Sequence, residues 1–400
     1  METLVELYVH EQFDDLAAVL AFRPERVVFL TSGYLPGRAE REGVLRSLSG
    51  ISPSTKAVFI DVGDRSLDSL FKKLDGVVKD FPDCAVEMTG GSASVLIAAE
   101  RYCEEKRVKS FYFDSLKGRF RNIYGMEGEL SRVKTPVLDV ETLLKLSGGL
   151  MTGTGHASKP FFENRETVLK TLDIYRQNID QWNAFSEYLQ FACKSYLDEK
   201  HLFFCAPMTL LSKGSLYFIN KRIINALYEA GAVTNLLSDG ENVSFYFKNS
   251  FFRELLTTVG MCLELMVYSA AVESGAFDSA EMSVLLDWDG VISGHFNDTV
   301  NEIDVIMTSG LSSFFVSCKS SRPDTRDLYE IGYLAKRFGG RNAVPVLATA
   351  VDLSGSFWAN YMRARDMGVT VIERADIVEG SERIVKLLME PEWLAERPSR

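Results

Sequence analysis

Residues 301–320, "NEIDVIMTSGLSSFFVSCKS", set an acid, Asp304, in one apolar run and a lone lysine, Lys319, at the end of the next. Ser309-Gly310 between the runs reads as a turn, so the stretch predicts an antiparallel hairpin. Alternation puts Glu302 and Asp304 on one face of the first strand and Ser317 and Lys319 on one face of the second. Paired through that turn, Asp304 and Lys319 meet at the sheet end opposite it. Upstream, "MSVLLDWDG" (282–290) predicts a third strand. "ELLTTVGMCLELMVYSAAVES" (254–274) predicts one long amphipathic helix that sets Glu264 among Leu263, Leu265 and Met266. Such a carboxylate lies at the solvent boundary of its helix or is committed to a polar site.

Two acids and a lysine at one point have a chemical use. Carboxylates bind a hard divalent cation such as Mg2+ or Mn2+, which neutralises a phosphate and lowers the pKa of a bound water, while a lysine positions that water. The plain alternative is an inter-strand salt bridge, and the spacing alone does not decide between them.

Outward from this hairpin, the N-terminal third alternates short apolar runs with amphipathic stretches. "TLVELYV", "RVVFLTSG", "KAVFIDVG", "CAVEMTGG" and "KSFYFDS" predict strands; "SLDSLFKKLDGVVKDF" and "SASVLIAAERYCEEK" predict helices between them. This α/β alternation implies a doubly wound, mainly parallel sheet, with "GRFRNIYG" as a closing antiparallel strand. Ligands bind such sheets beyond the strands' carboxyl ends. Those positions are His10-Glu11-Gln12, Thr31-Ser32-Gly33, Val62-Gly63-Asp64 and Thr89-Gly90-Gly91-Ser92. In the last set two glycines let backbone N–H groups approach an anion at a helix start, and the Thr89 and Ser92 hydroxyls add donors. A tight strand-to-helix turn is the alternative reading. The turn lacks G-x-G-x-x-G and G-K-[ST] patterns, which argues against ordinary NAD or ATP binding.

The middle of the chain opens with "SGGLMTGTGHASKP" (147–160), whose composition predicts a mobile connector. Leu172, Tyr175, Ile179, Trp182, Phe185 and Leu189 follow at helical spacing as a core stripe. Then come a helix ending at Gly231, a strand, an Asp239-Gly240 turn and a second strand, the outline of a winged helix. With few cations beyond Lys221 and Arg222, a spacer or dimerisation element is the better reading of it than a DNA reader.

The 400 residues imply two or three domains, and 46% apolar with 25% charged residues is globular composition. A net charge of −11 argues against a protein that coats nucleic acid over its whole surface. Six scattered cysteines give neither a zinc ribbon nor a disulfide framework. No apolar run reaches the length of a membrane span and "METLVELYVHEQFDD" has no signal-peptide layout, so the expected compartment is the cytoplasm.

A helical Glu, then Asp on one strand and an x-x-K on the next, resembles the PD-(D/E)xK restriction-endonuclease-like nucleases. "GMCLE … NEIDVIM … FFVSCKS … LYEIGYLAKRFGG" is similar to the nuclease half of the CRISPR-associated CARF–nuclease effectors. "YVHEQFDD" and "EMTGGSASVLIAAERY" resemble the CARF domain's first ligand loop and its strand–TGG–helix signature. The resemblance implies a Rossmann-like CARF domain over 1–135, a connector with a winged-helix-like segment over 136–250 and a nuclease-like domain over 251–400. It implies a homodimer with one symmetric pocket for cyclic oligoadenylate, cyclic tetra-adenylate above all, that switches on metal-dependent cleavage of DNA or RNA in antiviral defence. Glu264 matches the helical glutamate, Asp304 the metal-binding aspartate and Lys319 the catalytic lysine. The family's second acid falls on Ser317, for which Glu330 or Glu302 is the substitute, and the lysine that often follows T-G-G-[ST] is Ala93. If Ser317 marks a dead site, the chain is instead a ligand-sensing regulator. Between 319 and 341 six cations (Lys319, Arg322, Arg326, Lys336, Arg337, Arg341) outnumber three acids (Asp324, Asp327, Glu330), which predicts a local phosphate channel.

Overall fold

The computed structural model describes residues 1–8, 12–31, 36–63, 66–114, 119–134, 136–155, 158–212, 214–291, 300–340 and 343–390. Val-, Ile- and Phe-rich runs form β1 (Thr3–Leu7), β2 (Arg26–Thr31), β3 (Lys56–Asp61), β4 (Cys84–Glu87) and β5 (Lys109–Asp114), and β6 (Arg119–Tyr124) closes the edge. The order is β3-β2-β1-β4-β5-β6, parallel except for antiparallel β6. Helices cover both faces. Leu70, Leu74, Ala98 and Tyr102 pack with Val5 and Val86 on one side, and Leu16, Val44 and Leu48 with Leu4 and Phe29 on the other. Strand order reverses between β1 and β4, so the chain leaving each diverges and opens a crevice at their carboxyl ends.

Of the stretch 147–160 expected to be a mobile connector, residues 150–153 are instead a strand of the C-terminal sheet, and the segment before that stretch is helical. Helix Val140–Leu146 buries Val140, Leu143, Leu144 and Leu146, packed between helix Arg38–Ile51 of the first unit and the sheet and helix Thr325–Gly339 of the last. β7 (Leu150–Gly153) follows and pairs antiparallel with a strand of the C-terminal sheet. Nothing in its local composition favours a strand; the pairing comes from a partner more than 130 residues away. The glycine before it has a packing reason. A Cβ on Gly149 would meet the Phe338 ring at 2.8 Å and Leu286 at 2.9 Å. Gly149→Ala is therefore expected to destabilise the chain by about 1–3 kcal/mol, read as a lower urea midpoint with unchanged slope.

The expected apolar stripe is buried, but it crosses two helices, Arg165–Gln177 and Ile179–Tyr196, broken at Asn178. Next come β8 (Leu197–Asp198), β9 (Phe203–Pro207), the hairpin β10 (Thr209–Ser212) and β11 (Ser215–Phe218), helix Lys221–Glu229, then β12 (Val233–Ser238) and β13 (Asn242–Phe247). β12 and β13 turn at Gly240, φ +96, within a four-stranded sheet β12-β13-β9-β8.

The long helix expected from Glu254 is two helices, Ser250–Thr257 and Met261–Ser274, bent by 113°. The break falls at Gly260, φ +103, a conformation glycine adopts without a Cβ clash. No single helix among the described residues is long and apolar enough to cross a membrane. The last sheet adds β14 (Ser279–Asp287), β15 (Val300–Ser309), β16 (Ser312–Lys319), β17 (Ala343–Thr349) and β18 (Thr370–Ile372), in the order β18-β17-β16-β15-β14-β7. Helix Met261–Ser274 covers one face of it and helix Thr325–Gly339 the other.

Candidate functional site

The β15–β16 hairpin turns at Gly310, φ +60, and pairs Ser309 with Ser312 through to Val305 with Val316. One further step in that register sets Asp304 opposite Ser317. Asp304 Oδ2 accepts the Cys318 N–H at 2.6 Å, which fixes the carboxylate at the strand end. Strict alternation fails beside it. Ser283, across from Asp304 on β14, has φ +51, and the strands exchange faces there. Met282 and Val305 pack on the side of helix Met261–Ser274, whereas Val284 and Ile303 pack on the other. Asp304 sits at this reversal, so groups from both faces of the sheet approach it.

On one side is Glu264. The break at Gly260 places it in the first turn of helix Met261–Ser274, where backbone N–H groups favour negative charge. Burial raises its carboxyl to about 7, with the Asp304 and Glu302 charges adding to the rise and Lys319 opposing it. Burial also raises Asp304, assisted by the charges of Glu302 and Glu330; the Cys318 N–H and Lys319 pull it back. On the other side lies a pocket lined by Glu302, Asp304, Ser317, Lys319, Asp327 and Glu330. Glu302 and Glu330, the expected substitutes for the absent acid, are both exposed at its rim, and Glu330 accepts from Asn301 Nδ2 at 3.3 Å.

Asp327 is a pocket residue that sequence reasoning counts only as a charge. It lies 3.7 Å from Lys319 Nζ, and its Oδ2 accepts the Asp324 N–H at 2.7 Å in a capping box. The D-x-x-D spacing signals a helix start but not which lysine the second acid meets. Of the expected phosphate channel, Arg337 spends a donor on the Ser147 carbonyl at 2.6 Å and Arg326 is paired with Asp324. Arg341 lies outside the described residues.

Among the described residues no three acids, histidines or cysteines converge as a ready metal cage. Mg2+ does not require one, since one or two carboxylates with waters and phosphate oxygens complete its shell. Glu264 and Asp304, desolvated and repelling each other, are a donor pair that such a cation suits.

At the first sheet's crevice, His10, Glu11, Ser32, Gly33 and Asp64 lie outside the described residues, and Gln12 opens helix Gln12–Phe22. Thr31 is buried and its hydroxyl donates to the Ile60 carbonyl at 3.4 Å. Thr89 differs from its expected role as a ligand donor. Its hydroxyl donates to Glu87 and accepts the Phe113 N–H at 2.7 Å, tying β4 to β5. Gly91, φ +96, would carry a Cβ 3.1 Å from that of Leu7, so the loop passes the end of β1 at a distance only glycine permits. Ser92 is exposed at the start of helix Ala93–Lys106, beside Ser94 at 3.2 Å. The loop's open donors are thus backbone groups and Ser92.

Solved structures share this architecture. Can2 from Sulfobacillus thermosulfidooxidans, in complex with cyclic tetra-adenylate, superposes with a TM-score of 0.67 at 18% identity, covering 96% of each chain. Protein VC1899 from Vibrio cholerae superposes with a TM-score of 0.72 at 14% identity, covering 98% of each chain. The likeness runs through both large sheets, so the mixed α/β, two-sheet fold is common to all three chains. No protein-family model and no curated protein matches the chain.

Proposed function

We propose that this chain is a metal-dependent phosphodiesterase acting on nucleic acid, switched on by a cyclic oligoadenylate held at the β1/β4 crevice. What supports the reading is that Glu264, Asp304 and Lys319 act electrostatically on one another around β15 and β16, in a chain whose other large sheet has Rossmann-like order. The whole-chain likeness to Can2, solved with cyclic tetra-adenylate, supports the activator. Glu264 and Asp304 would hold Mg2+ or Mn2+, which when bound supplies charge neutralisation at the scissile phosphate and a more acidic water. Lys319 is oriented by Asp327 and directs its ammonium into the pocket, where it positions the attacking water. Asp304 is itself fixed by Cys318, so it need not reorganise as charge develops. A homodimer would place two crevices about a two-fold axis, the symmetry a cyclic ligand matches. The coupling requires that the ring bind one domain arrangement better than another.

A second reading has one observation in its favour. Ser317 stands opposite Asp304 where the fold's usual second acid would be, which suits a ligand-sensing regulator with an idle nuclease domain. One experiment separates the two. With Mn2+ and cyclic tetra-adenylate, nicking of supercoiled plasmid or cleavage of a labelled single-stranded RNA is expected, and Lys319→Ala should lower it by at least about 100-fold. Ring binding without cleavage of either substrate would establish the regulator.

A further inference from the structure

Helix Thr325–Gly339 does more than wall the pocket. It buries Leu328, Ile331, Leu334, Ala335 and Phe338 against the sheet. Arg326, Tyr329, Tyr333 and Lys336, at i, i+3, i+7 and i+10, form a stripe along its outer face. All four are exposed, with 56% of Tyr329 and 57% of Tyr333 open to solvent. Glu330, three residues before Tyr333 and so its neighbour on the helix surface, lines the carboxylate pocket, which sets the stripe beside the proposed site.

The aromatic row is also anchored to that site. The Tyr333 ring stacks on Trp288 with centroids 5.7 Å apart and planes inclined by 19°. Trp288 Nε1 donates to Asn301 Oδ1 at 2.5 Å, and Asn301 Nδ2 donates to Glu330. A side chain serving only solubility needs no such support.

Resting on the nuclease reading, we propose that Tyr329 and Tyr333 are a stacking platform for unpaired bases, making a single strand the substrate class. The cation–aromatic–aromatic–cation order matches a strand's chemistry: Arg326 would exchange its exposed pair with Asp324 for a phosphate, Lys336 would take another, and the rings would take base faces. The two rings are separated by one i,i+4 step, a rise of about 6 Å, which spaces them for successive bases of an extended strand. A duplex gains nothing here, because its bases already stack on one another.

The test is binding of fluorescein-labelled oligonucleotides to the full chain by anisotropy. It uses cyclic tetra-adenylate and Ca2+, with a single strand, the matching duplex and an abasic single strand as probes. The single strand is expected to bind at least 10-fold tighter than the duplex or the abasic strand. Tyr329→Ala/Tyr333→Ala should weaken single-strand binding by about 30-fold or more, at the lower bound of stacking for two bases. Tyr333→Phe, which keeps the ring, should bind like the natural chain. Single-strand affinity unchanged by the double alanine variant and by abasic sites would overturn the platform. If hydrolysis with Mn2+ nevertheless persists, the nuclease reading stands. No binding of any probe together with no hydrolysis overturns both.

Discussion

Asp304→Asn is expected to lower ring-activated hydrolysis by at least about 1000-fold while leaving the fold intact. The carboxamide keeps an oxygen for the Cys318 N–H, so the hairpin end retains the bond that fixes this side chain. What it loses is the negative charge that would hold a cation, and losing a metal contact is worth several kcal/mol of transition-state stabilisation, about three decades in rate. Stability should move the opposite way. Burial and the neighbouring acids raise the Asp304 carboxyl above its ordinary range, so its charged form is a burden on the metal-free fold. Removing the charge is therefore expected to keep or raise the melting temperature in EDTA. If Asp304 and Lys319 were an ordinary inter-strand salt bridge, the same variant would melt lower and leave hydrolysis untouched. Rates and melting curves on one preparation separate these outcomes.

Regular strands were legible because their signal is local. Runs such as 27–30 and 57–60 are apolar without interruption and rich in Val and Phe, which suits strands of a sheet with helices on both faces. The hairpin that carries Asp304 on one strand and Lys319 on the next was legible for the same reason, together with its Ser309-Gly310 turn. Other features were not. Apolar periodicity runs unbroken through Thr258–Gly260, so it cannot show the 113° bend; yet that bend puts Glu264 in a first turn. β7 exists only through its pairing with β14, a long-range contact that composition does not record. Thr89 shows how little a residue type says of direction, since its hydroxyl turns to Glu87 and Phe113 rather than to the crevice. The face exchange at Ser283 lies beyond alternation too, because its backbone takes φ +51 with the register unchanged, and residue type does not announce that.

Glu264 makes the metal-free chain lose stability as pH rises from about 4.5 to about 7. Its carboxyl is ordinary at 4.5 in the unfolded chain and raised to about 7 in the fold, first by burial and then by Asp304 and Glu302. Between those values the native state holds more protons than the unfolded state, so unfolding becomes easier with increasing pH. The stabilising contribution is fully present below 4.5 and gone once pH has passed the folded value. Its size is at most about 3 kcal/mol. In EDTA, the melting temperature is therefore expected to fall across this window, over and above any shared trend, and Glu264→Gln should flatten that component. Mn2+ at pH 8 should restore stability to the natural chain far more than to Glu264→Gln, because the variant loses the desolvated charged donor on the helix side of Asp304 and keeps only the exposed Glu302 and Glu330 beside it. A natural chain whose melting curve ignores Mn2+ at pH 8 would show that the two acids do not share a cation. A response equal in both chains would place the ion elsewhere. The same burial that makes these acids costly without metal is what would make a cation between them effective, since neither carboxylate is screened by water as it would be at an open surface.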